Sequence, residues 1–362
     1  MEQFEKLMSL IIKPFGNSPV YNCMLAIINE SSGTNFSGAK GLTGETGIPI
    51  SSNYRFRTGS ITKLFTATII LNLKEEGLIR LEDFYFDLIN KETKNILSGL
   101  HLFEETDYSK KISLLHLLQH GSGLRDYFSE DERFLHYVMQ HPSQSWDWKM
   151  VMEKYFEFDL NLKPSFVPGN GFHYSDTNYL LLAVLIEQIT QKSLHQVYRE
   201  KIIIPFGLTD TYLEFYELPE QIRSVVYPYY GIHSLENINT SFDWGGGGLI
   251  STMNDLDIFI RRLIKGNLFN KPESLKYLMH LQNTNSVTGN SSQQIQYGLG
   301  IQKKDFPGYS FVGHNSAYGS MLYYDPEKDI SIVLSLNQAA AVHKAEWLLR
   351  KIVLEFPKET LQ

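Results

Sequence analysis

The chain has 362 residues, 43% of them hydrophobic, with a formal net charge of −7 and a pI near 5.9. That length and apolar content suffice for a large core, as one big domain or two smaller ones, and the 33 Lys and Arg residues are scattered rather than gathered in a stripe, which argues against nucleic acid as main partner. A single cysteine, Cys23, excludes an intramolecular disulfide and leaves the compartment open on this count.

The first stretch, MEQFEKLMSLIIKPFG, mixes Glu2, Glu5, Lys6 and Lys13 into a periodic apolar pattern, without the long apolar core or small-residue cleavage site of a signal peptide. A surface helix is expected there, and with it a cytoplasmic location, or an extracytoplasmic one if a signal segment was trimmed. Residues 22 to 57 hold the β-type runs CMLAIIN and NYRFR on either side of the Gly-rich SSGTNFSGAKGLTGETG. ITKLFTATIILNLKEEG then turns to a helical period that ends at Gly77. From about 83 to 240 the pattern is mostly helical or loop-like, with SLLHLLQH, ERFLHYVMQH, WDWKMVMEKYF and SDTNYLLLAVLIEQITQ as its clearest members and no good strand ladder. Its longest apolar run, YLLLAVLIE at 179 to 187, is far shorter than the roughly 20 residues of a membrane-spanning helix. After WGGGGLIST a helix, MNDLDIFIRRLIKG, leads into strands at QYGLGIQ, YSFVGH, SMLYYDP and ISIVLSLN, closed by a helix from about 339 to 355. This last helix and the first are expected to pack together on the outer face of the sheet.

Strands at both ends and helices between them imply an α+β fold (an α/β sandwich). One antiparallel sheet is built from both chain ends and flanked by helices, and a mostly α-helical lobe is inserted. The expected division is 1–80 plus 241–362 for the sheet domain and 81–240 for the lobe, with the site in the cleft between them. No repeats or low-complexity tracts appear.

Ser60 and Lys63, in SITK, open the long helix. A Ser-x-x-Lys spacing arises by chance once or twice in a chain this long, and Ser37 to Lys40 is a second instance, in a region read as a Gly-rich turn. Residues three apart on a helix share a face, so Ser60 and Lys63 are placed to share a proton beside the outward-pointing N–H groups of a helix start. Alternatively Ser60 or Thr58 is simply the N-cap, although Lys63 stands where a capping box would want Glu or Gln.

Other signals are weaker. His116 and His120 at i and i+4 lack the Glu of a zinc-protease motif and a third ligand, so structural roles are expected. The tetraglycine at 245 to 248 lacks the Gly-Lys-Ser/Thr of a phosphate loop and reads as a tight turn by the cleft. HGSGL around Ser122 fails the nucleophile-elbow pattern by one residue and reads as a turn. Tyr127, Phe128, Tyr227, Tyr229 and Tyr230 either line an apolar pocket of the lobe or pack in core and surface.

SITK, HLLQHGSGL, PGNGFHYSDTNYLLLAVLIE, FGLTDTYL, GGGGLISTMNDL and FVGHNSAYG follow one another in an order that resembles the serine β-lactamase and penicillin-binding superfamily. The nearest branch is the one with class C β-lactamases, D-alanyl-D-alanine carboxypeptidases, D-aminopeptidases and carboxylesterases. The resemblance covers roughly residues 20 to 340 and implies a β-lactamase/transpeptidase-like fold and a serine hydrolase that forms an acyl-enzyme. It implies Ser60 as nucleophile, Lys63 as its partner in proton transfer, Tyr174 as the tyrosine of the Tyr-x-Asn element and His314 as first residue of the Lys-Thr-Gly or His-x-Gly element. The backbone N–H groups of Ser60 and Ala317 would hold the oxyanion. Two departures stand out. Asp176 replaces the usual Asn, and a carboxylate there favours charged Lys63 and disfavours tyrosinate. Asn315 and Ser316 replace Thr-Gly or x-Gly, so Ser316 either narrows the cleft or shifts the register. The expected substrate is a small-molecule or short-peptide ester or amide, with no metal or organic cofactor, no nucleic acid and no membrane span. The rival reading is a catalytically impaired ligand-binding or penicillin-binding protein on the same fold. Oligomeric state is not legible.

Overall fold

The computed structural model describes all residues except 1, 14, 17–18, 31, 45–46, 220–223, 289–290, 340 and 357–362, and the side chains of 283–288 and 291–295. An eight-stranded antiparallel sheet dominates. Its strands are β1 (Asn22–Asn29), β2 (Thr34–Gly41), β3 (Gln282–Thr288), β4 (Ser291–Tyr297), β5 (Gln302–Phe306), β6 (Tyr309–Asn315), β7 (Ser320–Asp325) and β8 (Ile330–Ser335), in the order β3-β4-β5-β6-β7-β8-β1-β2. The two chain ends meet where β1 pairs with β8, Met24 opposite Ser335 through Asn29 opposite Ile330.

β1 shows why this sheet is covered on both faces. Its side chains alternate, so Met24 and Ala26 join the main core while Cys23, Leu25 and Ile27 join a second cluster on the outer face. That outer cluster is closed by α1 (Glu2–Ile11) and α6 (Val342–Leu354), which bring Phe4, Met8, Leu348, Leu349 and Ile352 onto it. The first and last helices therefore pack together as expected. On the inner face lie α2 (Thr62–Glu75), α3 (Asp176–Thr190), the one-turn α4 (Trp244–Gly247) and α5 (Met253–Ile264). Every residue of α2 from Thr62 to Leu73 and of α3 from Thr177 to Ile186 is buried, so these helices are enclosed on all sides and central rather than amphipathic. Phe65 of α2 stacks on Phe259 of α5 with ring centroids 3.7 Å apart.

Three local expectations change. The Gly-rich stretch holding Ser37 is strand β2, pairing with β1 along its whole length, because Phe36 on its buried side anchors an otherwise polar edge strand. The tetraglycine forms α4 instead of a tight turn. QYGLGIQ straddles two strands, since Gly300 at φ +74° turns the chain between Tyr297 and Gln302. Between residues 81 and 240 helices alternate with strands two residues long. No helix among the described residues is long and apolar enough to cross a membrane.

Candidate active site

The chain enters the site through the short strand Arg55–Arg57, held in a four-stranded sheet with Leu249–Ser251, Tyr212–Leu213 and Val225–Val226. Both arginines are buried and paired: Arg55 donates to Asp210 at 2.6 Å, and Arg57 to the two oxygens of Glu214 at 2.6 and 3.2 Å. Thr58 donates its N–H and its hydroxyl to the Leu249 carbonyl, each at 2.9 Å, and Thr62 Oγ1 accepts from the Leu249 N–H at 3.2 Å. This clamp fixes the backbone from which Ser60 projects.

Gly59, at φ +54°, leaves no room for a side chain: a Cβ there would lie 2.1 Å from Ser316 Oγ and 2.9 Å from Tyr318 Cδ2. Gly59→Ala is expected to displace the turn carrying Ser316 and to cost about 1–3 kcal/mol. Thermal unfolding checks this, and an unchanged Tm would contradict it.

Ser60 lies in a one-turn 3-10 segment, Gly59–Ile61, ahead of α2, and neither its hydroxyl nor that of Thr58 caps either helix. Ser60 Oγ instead accepts from Lys63 Nζ at 3.1 Å. The Lys63 side chain has no exposed surface, and its remaining hydrogens go to the Gly246 carbonyl at 2.8 Å and to Asp176 Oδ1. All of its N–H groups are thereby used. Burial pulls the ammonium toward neutrality, but Asp176 and Tyr174 outweigh it, and the Lys63 pKa lies above the ordinary lysine value.

Tyr174, just before α3, sits with its ring centroid 5.1 Å from Lys63 Nζ. Its hydroxyl is buried and completes no hydrogen bond, although Ser60 and Lys63 lie near enough for each to lower its pKa. Burial wins over Lys63, aided by Asp176, and pushes Tyr174 up to about 12. Two more carboxylates crowd the site. Burial and the neighbouring Asp176 push Asp126 up to about 7. Burial also pushes Asp243 up to about 7, against the hydrogen bond from Tyr318, with Asp176 again adding.

Beside these groups opens a cleft of about 790 Å³ lined by Ser60, Asp126, Tyr174, Asp176, Asn315, Ser316 and Ala317 among others. Past the end of β6 the chain makes a tight turn. Ser316 N–H donates to Ser320 O at 2.8 Å, Gly319 N–H to Ser316 O at 3.0 Å and Tyr318 N–H to Ser316 Oγ at 3.1 Å. The Ser316 hydroxyl is thus folded back into its own turn. The Ala317 N–H takes part in none of these bonds, and Ala317 is exposed beside Ser60.

The structure gathers Ser60, Lys63, Tyr174, Asp176, Asn315, Ser316 and Ala317 about one cleft. His314 is different: it is fully buried beneath the cleft, its ring centroid 6.0 Å from that of Tyr174, and both nitrogens are engaged, with Tyr297 and with the Asn315 carbonyl. His116 serves in a capping box with Ser113, and Ser122 donates to Asn178 Oδ1 at 2.6 Å. Of the five aromatics singled out, Phe128 lines the cleft, while Tyr127 donates to the Phe242 carbonyl, Tyr227 lies against Arg57 and Tyr229 against Tyr21. Sequence reasoning missed Asp126, Asp243, the Gly246 carbonyl and the partners of His314. For the last, QYGLGIQ and HLLQH were in view, but only as a strand and a failed metal pair.

A serine and a lysine one helical turn apart, with a buried tyrosine facing them in a cleft beside an antiparallel sheet, define an α+β protein with a Ser-x-x-Lys site. The Beta-lactamase family profile matches residues 23–355, and the chain belongs to that family. It is 27% identical over 306 residues to a penicillin-binding protein of Bacillus subtilis (strain 168), covering 78% of this chain and 61% of that one. It is 24% identical over 322 residues to a D-aminopeptidase of Gluconobacter oxydans (strain 621H), covering 86% of this chain and 55% of that one. The chain thus spans about three fifths of the length of these curated relatives. In structure it resembles a D-amino acid amidase from Ochrobactrum anthropi SV3 complexed with D-phenylalanine, with a TM-score of 0.76 at 18% identity and coverage of 97% and 98%.

Proposed function

We propose that the chain is a serine hydrolase that forms an acyl-enzyme on Ser60 and hydrolyses an ester or amide, with amides and short peptides of D-amino acids as the first candidates. The contact of Ser60 Oγ with Lys63 Nζ at 3.1 Å, on the floor of an open cleft, carries this reading. Ser60 Oγ attacks the substrate carbonyl carbon, and its proton passes into the Lys63–Tyr174 pair in the fraction of molecules in which that pair has released a proton to solvent. The oxyanion is held by the N–H groups of Ser60 and Ala317. As the tetrahedral species collapses, the C–O or C–N bond breaks and the leaving group takes that proton. Water then attacks the acyl carbon by the same route in reverse, releasing the acid and restoring the serine hydroxyl.

The substrate class has two supports. Relatives are named for D-amino acid amides and peptides. The crowding of Asp126, Asp176 and Asp243 also suits a substrate bearing an ammonium group. The test is incubation with p-nitrophenyl acetate and with D- and L-alanine p-nitroanilide, followed by acid quench, digestion and mass analysis of the peptide holding Ser60. Turnover with a transient acyl group on that peptide is expected. Turnover that never acylates Ser60 sinks the reading, and an acyl group that forms and stays favours a binding protein.

A further inference from the structure

Behind Tyr174 runs a buried chain of hydrogen bonds whose direction can be worked out from both ends. At one end the Ser175 backbone N–H, which can only donate, points at His120 Nδ1 at 3.1 Å. His120 Nδ1 is therefore an acceptor, and it also receives an Asn178 Nδ2 hydrogen at 3.0 Å, the Asn178 oxygen being occupied by the Ser122 hydroxyl. Burial, with Lys63 and His314 adding, holds the His120 pKa well below its ordinary value, so the ring is neutral and its proton is on Nε2. That Nε2–H donates to the Tyr297 oxygen at 3.0 Å.

At the other end the Asn315 carbonyl, which can only accept, lies 2.5 Å from His314 Nδ1. His314 Nδ1 therefore carries the proton. Burial, with Lys63 adding, lowers the His314 pKa to about 3, so this ring too is neutral and its Nε2 is an acceptor. The group facing it at 3.1 Å is the Tyr297 hydroxyl. Tyr297 stands between a donor and an acceptor and can satisfy both only by accepting from His120 and donating to His314. Tyr179, the other hydroxyl nearby, sends its hydrogen to the Leu118 carbonyl at 2.9 Å.

We propose that Tyr297 is a positioning residue for the reaction: its hydroxyl fixes His314 as the Nδ1–H tautomer, which holds the Asn315 carbonyl and so aims the turn bearing the Ala317 N–H at the oxyanion. His120, Asn178 and Ser122 fix the polarity of the chain in turn. The proposal rests on the hydrolase reading only for its kinetic consequence. Without the Tyr297 hydrogen, His314 Nε2 loses its donor in a fully buried place, and the alternative tautomer would set an Nδ1 lone pair against the Asn315 carbonyl oxygen. Either way the end of β6 moves, and a misaimed oxyanion donor lowers the rate of the chemical step more than it weakens substrate binding.

The test has two arms. The first labels histidine with ¹⁵N and reads the ring tautomers in wild-type protein, with His120→Gln and His314→Gln to assign signals among the 11 histidines. His314 is expected as Nδ1–H and His120 as Nε2–H, neither titrating between about pH 5 and 9. Finding His314 as Nε2–H, or titrating in that range, overturns the proposal, and this arm needs neither activity nor a folded Tyr297 variant. In the second arm Tyr297→Phe, which keeps the ring, is expected to shift the His314 signal and to lower kcat about 10- to 100-fold with KM within about twofold. An unchanged kcat with an unchanged His314 signal also overturns it. If the wild type proves inactive, the hydrolase reading fails while the tautomer result still stands or falls on its own.

Discussion

Ser60→Ala is expected to reduce turnover by about 10³- to 10⁶-fold, Lys63→Met to do nearly the same, and the double variant to be no worse than either. The reasoning is geometric. Lys63 Nζ is hydrogen-bonded to Ser60 Oγ and is itself held by Gly246 and Asp176. Groups that act as one unit lose their function together, so the second deletion removes nothing further. Stability separates the two variants where activity does not. Ser60 gives up one bond at the cleft surface. Lys63→Met leaves the Asp176 carboxylate, 18% exposed, facing an apolar chain without its counter-ion, and loss of one partner of such a pair costs about 3–5 kcal/mol. Steady-state kinetics with thermal unfolding on the same preparations checks both halves. A Ser60→Ala protein within tenfold of wild type would remove Ser60 from the chemistry. A Lys63→Met protein as stable as wild type would mean that Asp176 finds other donors.

How much of this was legible in the sequence follows from how local each signal is. The Ser60–Lys63 pair is one helical turn, and a reader of spacing alone can place it. The meeting of the chain ends was legible because β1 and β8 each carry apolar runs that need covering on both faces. Ser37 was misjudged because glycines at 33, 38 and 41 suggest a turn, while the pairing that makes a strand of them comes from β1. The tetraglycine was misjudged for a related reason. Its helix is set by the close approach of α3 and Lys63, so that a Cβ on Gly245 would lie 2.5 Å from that of Ala183. The histidine chain was invisible because its members, 120, 178, 297 and 314, come from four separate stretches. Each alone looks like a core residue.

Asp176→Asn is expected to move the rising limb of the pH–rate profile to lower pH by about one unit or more, raising the rate at pH 7 about tenfold. In the wild type all of the Lys63 hydrogens are donated, so the amine has no lone pair with which to receive the serine proton. Burial alone would lower its pKa, and Asp176 is first among the groups that raise it instead. The same carboxylate helps to hold Tyr174 at about 12. An amide in its place still accepts from Lys63 Nζ but brings no charge, so both groups give up protons more readily. Stability moves the other way. With a folded pKa above the unfolded value of about 10.4, Lys63 stabilises the wild type below that pH, and the contribution is lost as pH rises through the folded pKa. In the variant the largest of the groups opposing desolvation is gone, Tyr174 alone remains, and the folded pKa is expected below the unfolded one. The unfolded chain then binds the extra proton between those two values, and stability rises with pH across that window. The deficit of Asp176→Asn against wild type, measured by denaturant unfolding, should therefore be largest near neutrality and shrink toward pH 10. A variant slower at every pH would reverse the assignment. It would mean that the Lys63 proton crosses to Asp176 when Ser60 attacks, so that the carboxylate replacing the usual Asn is a working part of the proton path.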